Sequence, residues 1–417
     1  MNQADNPIQR PALHYAWIVL AVGTLVVVGS LGLARFGYTM LLPSMQTALT
    51  MDNTKAGGLA TANLAAYLAL AVTGGVLASR YGPRIVITIG LSVAALGMAL
   101  TGSAASFGEA MIWRVLTGLG SGASNVPVMA LLSAWFAQRR RGLAAGIGVT
   151  GSSLALIVLG PLVPRVLAAD EENGWRICWF LFAAVTFGLA VLSWAVLRNR
   201  PADIGLHPLG AAEDDEPGVA AQGGLRWGRV YGSGVVWHVG LIYIAFGFSY
   251  MIYMTFFTKY LIAEGGYTKE AAGALFMLVG WVSLPCGLIL GWISDIIGRK
   301  GALVIVYLIH AIAFALFALW PSPAGFTISA ILFGLSPWTI PAIMAAICGD
   351  VLGPRLAPAG LGFITLFFGI GQAAGPIAAG ALADADANKS LSSAFLLAAG
   401  VALLGAIGSL LLRRPKG

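Results

Sequence analysis

Charge is what this sequence has least of. Only 10% of its 417 residues are Asp, Glu, Lys or Arg, and 58% are hydrophobic; an ordinary soluble chain carries about 25% charged residues. The contrast excludes the two or three water-soluble domains that length alone suggests and leaves an integral membrane protein. Cysteine is nearly absent too. Cys178, Cys286 and Cys348 lie within apolar runs and match no metal spacing, so they read as small packing residues without a disulfide. There is no Walker motif, no HExxH, no nucleophile elbow and no haem or zinc spacing. An ATP-driven pump and a membrane enzyme are thereby disfavoured, and no cofactor or metal is expected. The histidines His14, His207, His238 and His310 do not pair in sequence. Each reads as a packed or interfacial imidazole rather than a proton carrier.

What the chain has in abundance is long apolar sequence. Twelve segments stand out, at about 15–42, 56–79, 84–105, 108–135, 142–166, 175–197, 233–260, 269–293, 301–320, 324–349, 356–383 and 391–412. Each reaches the roughly 20 residues a helix needs to cross the hydrocarbon layer. The expected fold is therefore all-α, with twelve transmembrane helices in two six-helix halves, 1–197 and 232–417. Residues 198–231 between them are polar, rich in Pro and Gly, and include EDDE, which reads as a solvated linker. The first fourteen residues are short and polar, and the apolar run after them lacks a small-residue cleavage site, so it reads as a retained helix. Lysine and arginine fall unevenly: sixteen lie in the even-numbered connections and the tails and six on the opposite side. That asymmetry places both termini in the cytoplasm. It also accounts for the net charge of +7 without a nucleic-acid partner.

A short pattern occurs twice. After the second segment come Gly75, Ser79, Arg80, Gly82 and Arg84; after the eighth come Gly291, Asp295, Gly298, Arg299 and Lys300. Repetition at the same place in each half marks an internal duplication, and these residues are candidates for a gating latch that forms in one state and breaks in the other. The bland alternative is a plain basic turn. With twelve segments and a central linker, the duplicated loop resembles that of the major facilitator superfamily of secondary transporters, over nearly the whole chain. The second copy keeps the family's aspartate as Asp295, with Ile296 where a basic residue is usual; the first has Ser79 where aspartate is usual. Arg114, Gly118, Gly120 and Gly122 resemble the family's fourth-helix motif. More narrowly, GLARFGYTMLLPSM and AGGLATANLAAYL resemble the bacterial YbfB/YjiJ-like branch. GWR at 174–176 and RPADIGLHP at 200–208 are similar to monocarboxylate and oxalate/formate-type transporters. The resemblance implies a monomeric, multi-pass carrier in the bacterial inner membrane, working by alternating access, with protons as coupling ion.

Two basic residues, Arg35 and Arg114, fall inside apolar segments, both in the outer half, while no Asp or Glu lies near the middle of any segment. An ionised arginine at the bilayer centre costs roughly 2.5–3.5 kcal/mol on insertion scales. Its planar fork suits a carboxylate, which motivates an anionic substrate. Arg35 reads either as a substrate contact or as an anchor that snorkels to headgroups; Arg114 as a contact or as an organiser of the helix pair. Further cavity candidates are Tyr38, near Arg35; Asn63 and Tyr67, one turn apart; Asn125; the stripe Tyr243, Tyr250 and Tyr253 on the seventh segment; and Gln372 in a glycine-rich run with Pro376. The fifth segment has Gly160–Pro161 but not the tight glycine spacing of the family's antiporter motif. Proton-coupled uptake of a small monocarboxylate is the expected function; efflux of drug-like or metabolic compounds through the same fold is the alternative. A channel, or a sensor on a transporter fold, fits two related halves less well.

Overall fold

The computed structural model describes residues 14–211, 227–353 and 356–412; most of the linker, with its EDDE run, lies outside them. The described residues are almost wholly helical. α1 spans Tyr15–Ala48, α2 Asn53–Tyr81, α3 Pro83–Ser103, α4 Phe107–Trp135, α5 Gln138–Ala169 and α6 Gly174–Val196. α7 spans Gly234–Ala263, and α8 comes in two pieces, Lys269–Ser283 and Cys286–Ile297. α9 spans Arg299–Leu319, α10 Pro323–Leu352, α11 Ala357–Ala385 and α12 Ser392–Leu410.

Ten of these are long and apolar enough to cross a membrane as single helices, and α2, bent by 44°, makes an eleventh. The run expected as one helix over 269–293 is instead split at Leu284 and Pro285 into pieces of 15 and 12 residues. Proline has no N–H to continue the ladder, and its ring clashes with the preceding turn. α10 breaks between Gly334 and Thr339, around Pro337. α1 is irregular for another reason: its middle, Val28–Phe36, is π-helical. Such segments are rare and frequent at functional sites.

Within the first six elements α4 packs on α2 and α3, and α3 on α6; within the last six α7 packs on α11 and α12, and α9 on α12. Between the sets the principal contacts are α2 on α11, α5 on α8, and α1 on α7. The pairs α2–α11 and α5–α8 are counterparts if the second set repeats the first. The duplicated turns agree in backbone as well: Gly82 and Gly298 have φ of +87° and +84°, a region that glycine alone enters without steric cost. Large apolar side chains face outward around the bundle, among them Ile89, Phe187, Trp194, Leu241 and Leu404, each more than half exposed. An exposed apolar belt of this extent is what a bilayer covers.

Candidate functional site

The two intramembrane arginines sit in adjoining places and have different partners. Arg114 of α4 is 1% exposed. Its Nη1 donates to the Ala34 carbonyl at 2.7 Å, inside the π segment of α1. Its guanidinium lies 4.8 Å from the ring centre of Tyr38 and 5.2 Å from that of Trp179. Tyr38 is held by its hydroxyl donating to the Ala56 carbonyl at 2.7 Å, and Asn63 by its amide donating to the Arg114 carbonyl at 3.0 Å. Gly118 lets the backbones meet there, since a Cβ on it would fall 2.1 Å from Asn63 O. Arg114, Tyr38 and Asn63 thus join α1, α2 and α4. Cation–π contact and a carbonyl bond satisfy part of the guanidinium, while Nε has no partner among the described residues.

Arg35, 8% exposed, lies 4.6 Å over the ring of Tyr67 and within reach of the Tyr250 hydroxyl on α7. Its Nη2 has no hydrogen-bond partner among the described residues. Asn125 donates to the Tyr67 hydroxyl at 2.9 Å, which leaves its own carbonyl oxygen an unused acceptor. Gln372 of α11 is buried with its amide nitrogen unpaired. The described residues hold two ion pairs, both made by Arg299, so neither Arg35 nor Arg114 has an acidic partner among them. The site therefore offers two buried cations, each with one unpartnered nitrogen among the described residues, an aromatic wall, and single donor and acceptor groups around them.

The tyrosine stripe of α7 does not act as one face. Tyr250 meets Arg35, and Tyr243 stacks on Phe368 of α11 at 4.6 Å. Tyr253 points into the core of the last six elements, its hydroxyl 2.9 Å from Ser329 and its ring among Phe314, Phe317, Phe333 and Phe395. Three residues on a helix turn through 300°, which takes Tyr253 about 60° away from Tyr250. His310 is packed between Phe246 and Phe314 at ring distances of 5.7 and 5.6 Å.

The ends of the bundle differ. Among the described residues every side-chain hydrogen bond between the first and last six elements lies mid-bundle or toward Asn53. Thr61 donates to Ala373 O, while Trp338 and Ser283 both donate to the Ser153 hydroxyl. Thr39 donates to Met254 O and accepts from Thr258. At the rim the Asp384 carboxylate of α11 accepts from Asn53 N, Thr54 N and Thr54 Oγ1 at 3.1, 2.7 and 2.6 Å, and Lys259 of α7 donates to Asn53 Oδ1. A carboxylate is favoured at a helix N-terminus by unpaired N–H groups and the helix dipole.

The duplicated turns lie at the other end and bond within their own sets. Arg84 donates from N to Asn199 Oδ1 at 2.9 Å and from Nε to Trp194 O at 2.7 Å. The exposed Ser79 hydroxyl donates to Val76 O, Arg80 lies over Tyr81, and Gly75 is exposed with open space around it. Arg299 pairs with Asp295 at 2.5 Å and Asp350 at 3.4 Å; Gly291 lies in α8 and Lys300, half-buried, opens α9. Lys259 and Asp384 escaped sequence reasoning, because each looks like an ordinary charge near a helix end. Trp179, the second ring on Arg114, carried no signal beyond an aromatic in an apolar run.

A model of the Major Facilitator Superfamily matches residues 24–340 and 239–417, and the chain belongs to that family. It is thus a membrane transporter and not an enzyme. It is 22% identical over 397 residues to the hexuronate transporter of Bacillus subtilis (strain 168), covering 92% of this chain and 91% of that one. It is 24% identical over 400 residues to the "Probable sulfoacetate transporter SauU" of Cupriavidus necator, covering 90% and 89%. Among solved structures, a bacterial homolog of the human lysosomal transporter Spinster, in an inward-facing and unoccupied conformation, superposes with a TM-score of 0.74 at 18% identity, over 98% of this chain and all of that one.

Proposed function

We propose that the protein is a proton-coupled uptake carrier for a small organic monocarboxylate in a bacterial inner membrane. Twelve helices in two six-helix halves rock around a central site, and α8 crosses as a broken helix. The observation that carries the substrate class is Arg35, a buried guanidinium over Tyr67 with an unpaired Nη2 and no acidic partner among the described residues. Leaving a buried charge uncompensated is costly, and a carboxylate supplies both the counter-charge and the acceptor. Tyr67, Asn125, Tyr250 and Gln372 surround the body of the substrate. Relatives named for the transport of hexuronate and sulfoacetate, both organic anions, support the same class.

By the excess of Lys and Arg on the side of the duplicated turns, that side and both termini are cytoplasmic. The seam at Asn53 then closes the outer face, and the carrier is inward-facing and works as a monomer. Among the described residues no Asp or Glu is buried in the core, so the substrate binds Arg35 as the anion and its own carboxylate then takes up the coupling proton in the site. Radiolabelled monocarboxylates offered to proteoliposomes test this: uptake rises when the outside is acidic and falls when the gradient is reversed. Equal movement of neutral analogues, undiminished in Arg35→Ala, would overturn it.

A further inference from the structure

A groove of about 680 Å³ runs along the α2–α11 pair, between the first and last six elements. Thr61, Leu68 and Ala69 of α2 stand on one side of it, and Ile370, Ala374 and Ile377 of α11 on the other. From Thr61 to Ala69 it is about 12 Å long at the helical rise per residue. Toward Asn53 the two backbones touch, and a Cβ on Gly57 would fall 2.1 Å from Pro376 O. Leu68 forms the floor, half-buried against Gly369, where a Cβ would fall 2.4 Å from its Cδ1. Thr61 is the polar member of the lining, and its hydroxyl is spent on Ala373 O at 2.6 Å; the other lining residues are Ala, Leu and Ile.

We infer that this groove is a binding site for one straight acyl chain of a bilayer phospholipid, seated between the two sets of helices. Its rim continues into the apolar belt that the bilayer covers, with Ile370 55% and Ile377 41% exposed. Water finds no free partner in a lining whose hydroxyl is already bonded, and a carboxylate finds no cation among the lining residues. A second copy of the chain would need roughly 800 Å² on each partner, far more than so short a furrow supplies. Hydrocarbon is what the surrounding bilayer offers. In the furrow a chain packs against two walls and a floor, where the flat belt gives it one surface, and each added contact contributes dispersion attraction. Because the walls belong to different sets, a seated chain binds this spacing of α2 and α11 and favours the conformation that has it.

The test uses the full-length protein in palmitoyl-oleoyl phosphatidylethanolamine vesicles, doped with a phosphatidylcholine that carries a photoactivatable diazirine along one chain. After illumination the labelled positions are mapped by peptide mass spectrometry. If lipid only coats the bundle, labelling follows exposure: Ile89 and Leu404, 58% and 64% exposed, label strongly, and half-buried Leu68 weakly. A seated chain reverses that order, and Leu68, Ile370 and Ile377 are expected to label several-fold above Ile89 and Leu404. Ala374→Leu puts a side chain into the groove, and Ala69→Phe does so from the other wall. Each is expected to bring Leu68 down to the level of the belt or below, with Ile89 unchanged. Labelling that follows exposure in the unaltered protein, or a Leu68 yield that neither variant lowers, overturns the proposal. So does a groove shielded from label in a protein that runs as a dimer, which would assign it to a second copy.

Discussion

At the Asn53 end, a carboxylate from the last six elements accepts three hydrogen bonds from the start of α2; at the end bearing the duplicated turns, Arg84 and Arg299 bond only within their own sets. The sequence places its conspicuous motif at the end that holds no cross-bond among the described residues, and its inconspicuous charges at the end that does. The difference has a physical sense. A carrier that alternates must hold one end closed at a time, and bonds that differ between two states are the ones that set their balance. In the proposed cycle the seam is the closed end of this conformation, and the turns, which hold no cross-bond among the described residues, are the open end.

The largest disturbance of that contrast is steric. α5 and α8 meet at Gly160 and Gly273, where a Cβ on Gly273 would fall 2.3 Å from Gly160 O. Backbone cannot swing aside as a side chain does, so Gly273→Val forces the two helices apart. Overpacking of this kind costs about 1–3 kcal/mol or more, enough to shift a two-state balance by roughly 5- to 150-fold. A cysteine placed at Thr61, in the seam, is expected to react with a membrane-impermeant maleimide from the Asn53 side faster in Gly273→Val than in the parent. Equal reactivity would mean that this contact does not hold the seam.

The second prediction separates the two arginines. Arg35→Lys keeps the charge and loses the fork, and is expected to weaken binding of the best transported carboxylate by about 1–3 kcal/mol. Arg35→Gln removes a buried charge that has no acidic partner among the described residues, so it is expected to leave the melting temperature unchanged or raised. Affinity by calorimetry and melting by fluorescence check both. An Arg35→Lys protein that binds as tightly as the parent would make Arg35 an anchor.

The third bears on Asp384. Asp384→Asn keeps the shape and loses the charge that favours the start of α2. The rim is half-exposed, so the loss is at most about 2 kcal/mol, and opening of the Asn53 side should increase less than in Gly273→Val. The same maleimide assay reads it, and an effect equal to that of the glycine variant would rank the carboxylate as the main clasp.

Apolar run length carried most of the fold, and the scarcity of intramembrane charge singled out Arg35 and Arg114, which line one pocket in the structure. Arg35, Tyr67 and Asn125 were legible because a buried polar group in a membrane segment needs a partner whatever the fold. Tyr253 was misplaced because three residues of helix turn it off the face that Tyr250 occupies. The break in α8 was invisible to a window that averages over Leu284 and Pro285. Asp384 meets Thr54 across 330 positions, and no local pattern announces so distant a pair.

The smallest expected effect is the most discriminating for the turns. Arg299 is half-buried and its partners are exposed: side-chain exposure is 30% for the arginine, 62% for Asp295 and 53% for Asp350. An exposed pair of this spacing contributes about 0.3–0.5 kcal/mol, so Arg299→Gln is expected to move the melting temperature by at most a degree or two. If Arg299 reaches across to the first six elements when the carrier opens outward, its loss removes a bond from that state alone. The balance then moves toward the present conformation, and the Thr61 cysteine becomes less reactive, opposite in sign to Gly273→Val. If the turn is only a basic connection that keeps its bonds within one set in both states, reactivity is unchanged. A rise in reactivity fits neither and would show that Arg299 supports the closed seam from a distance.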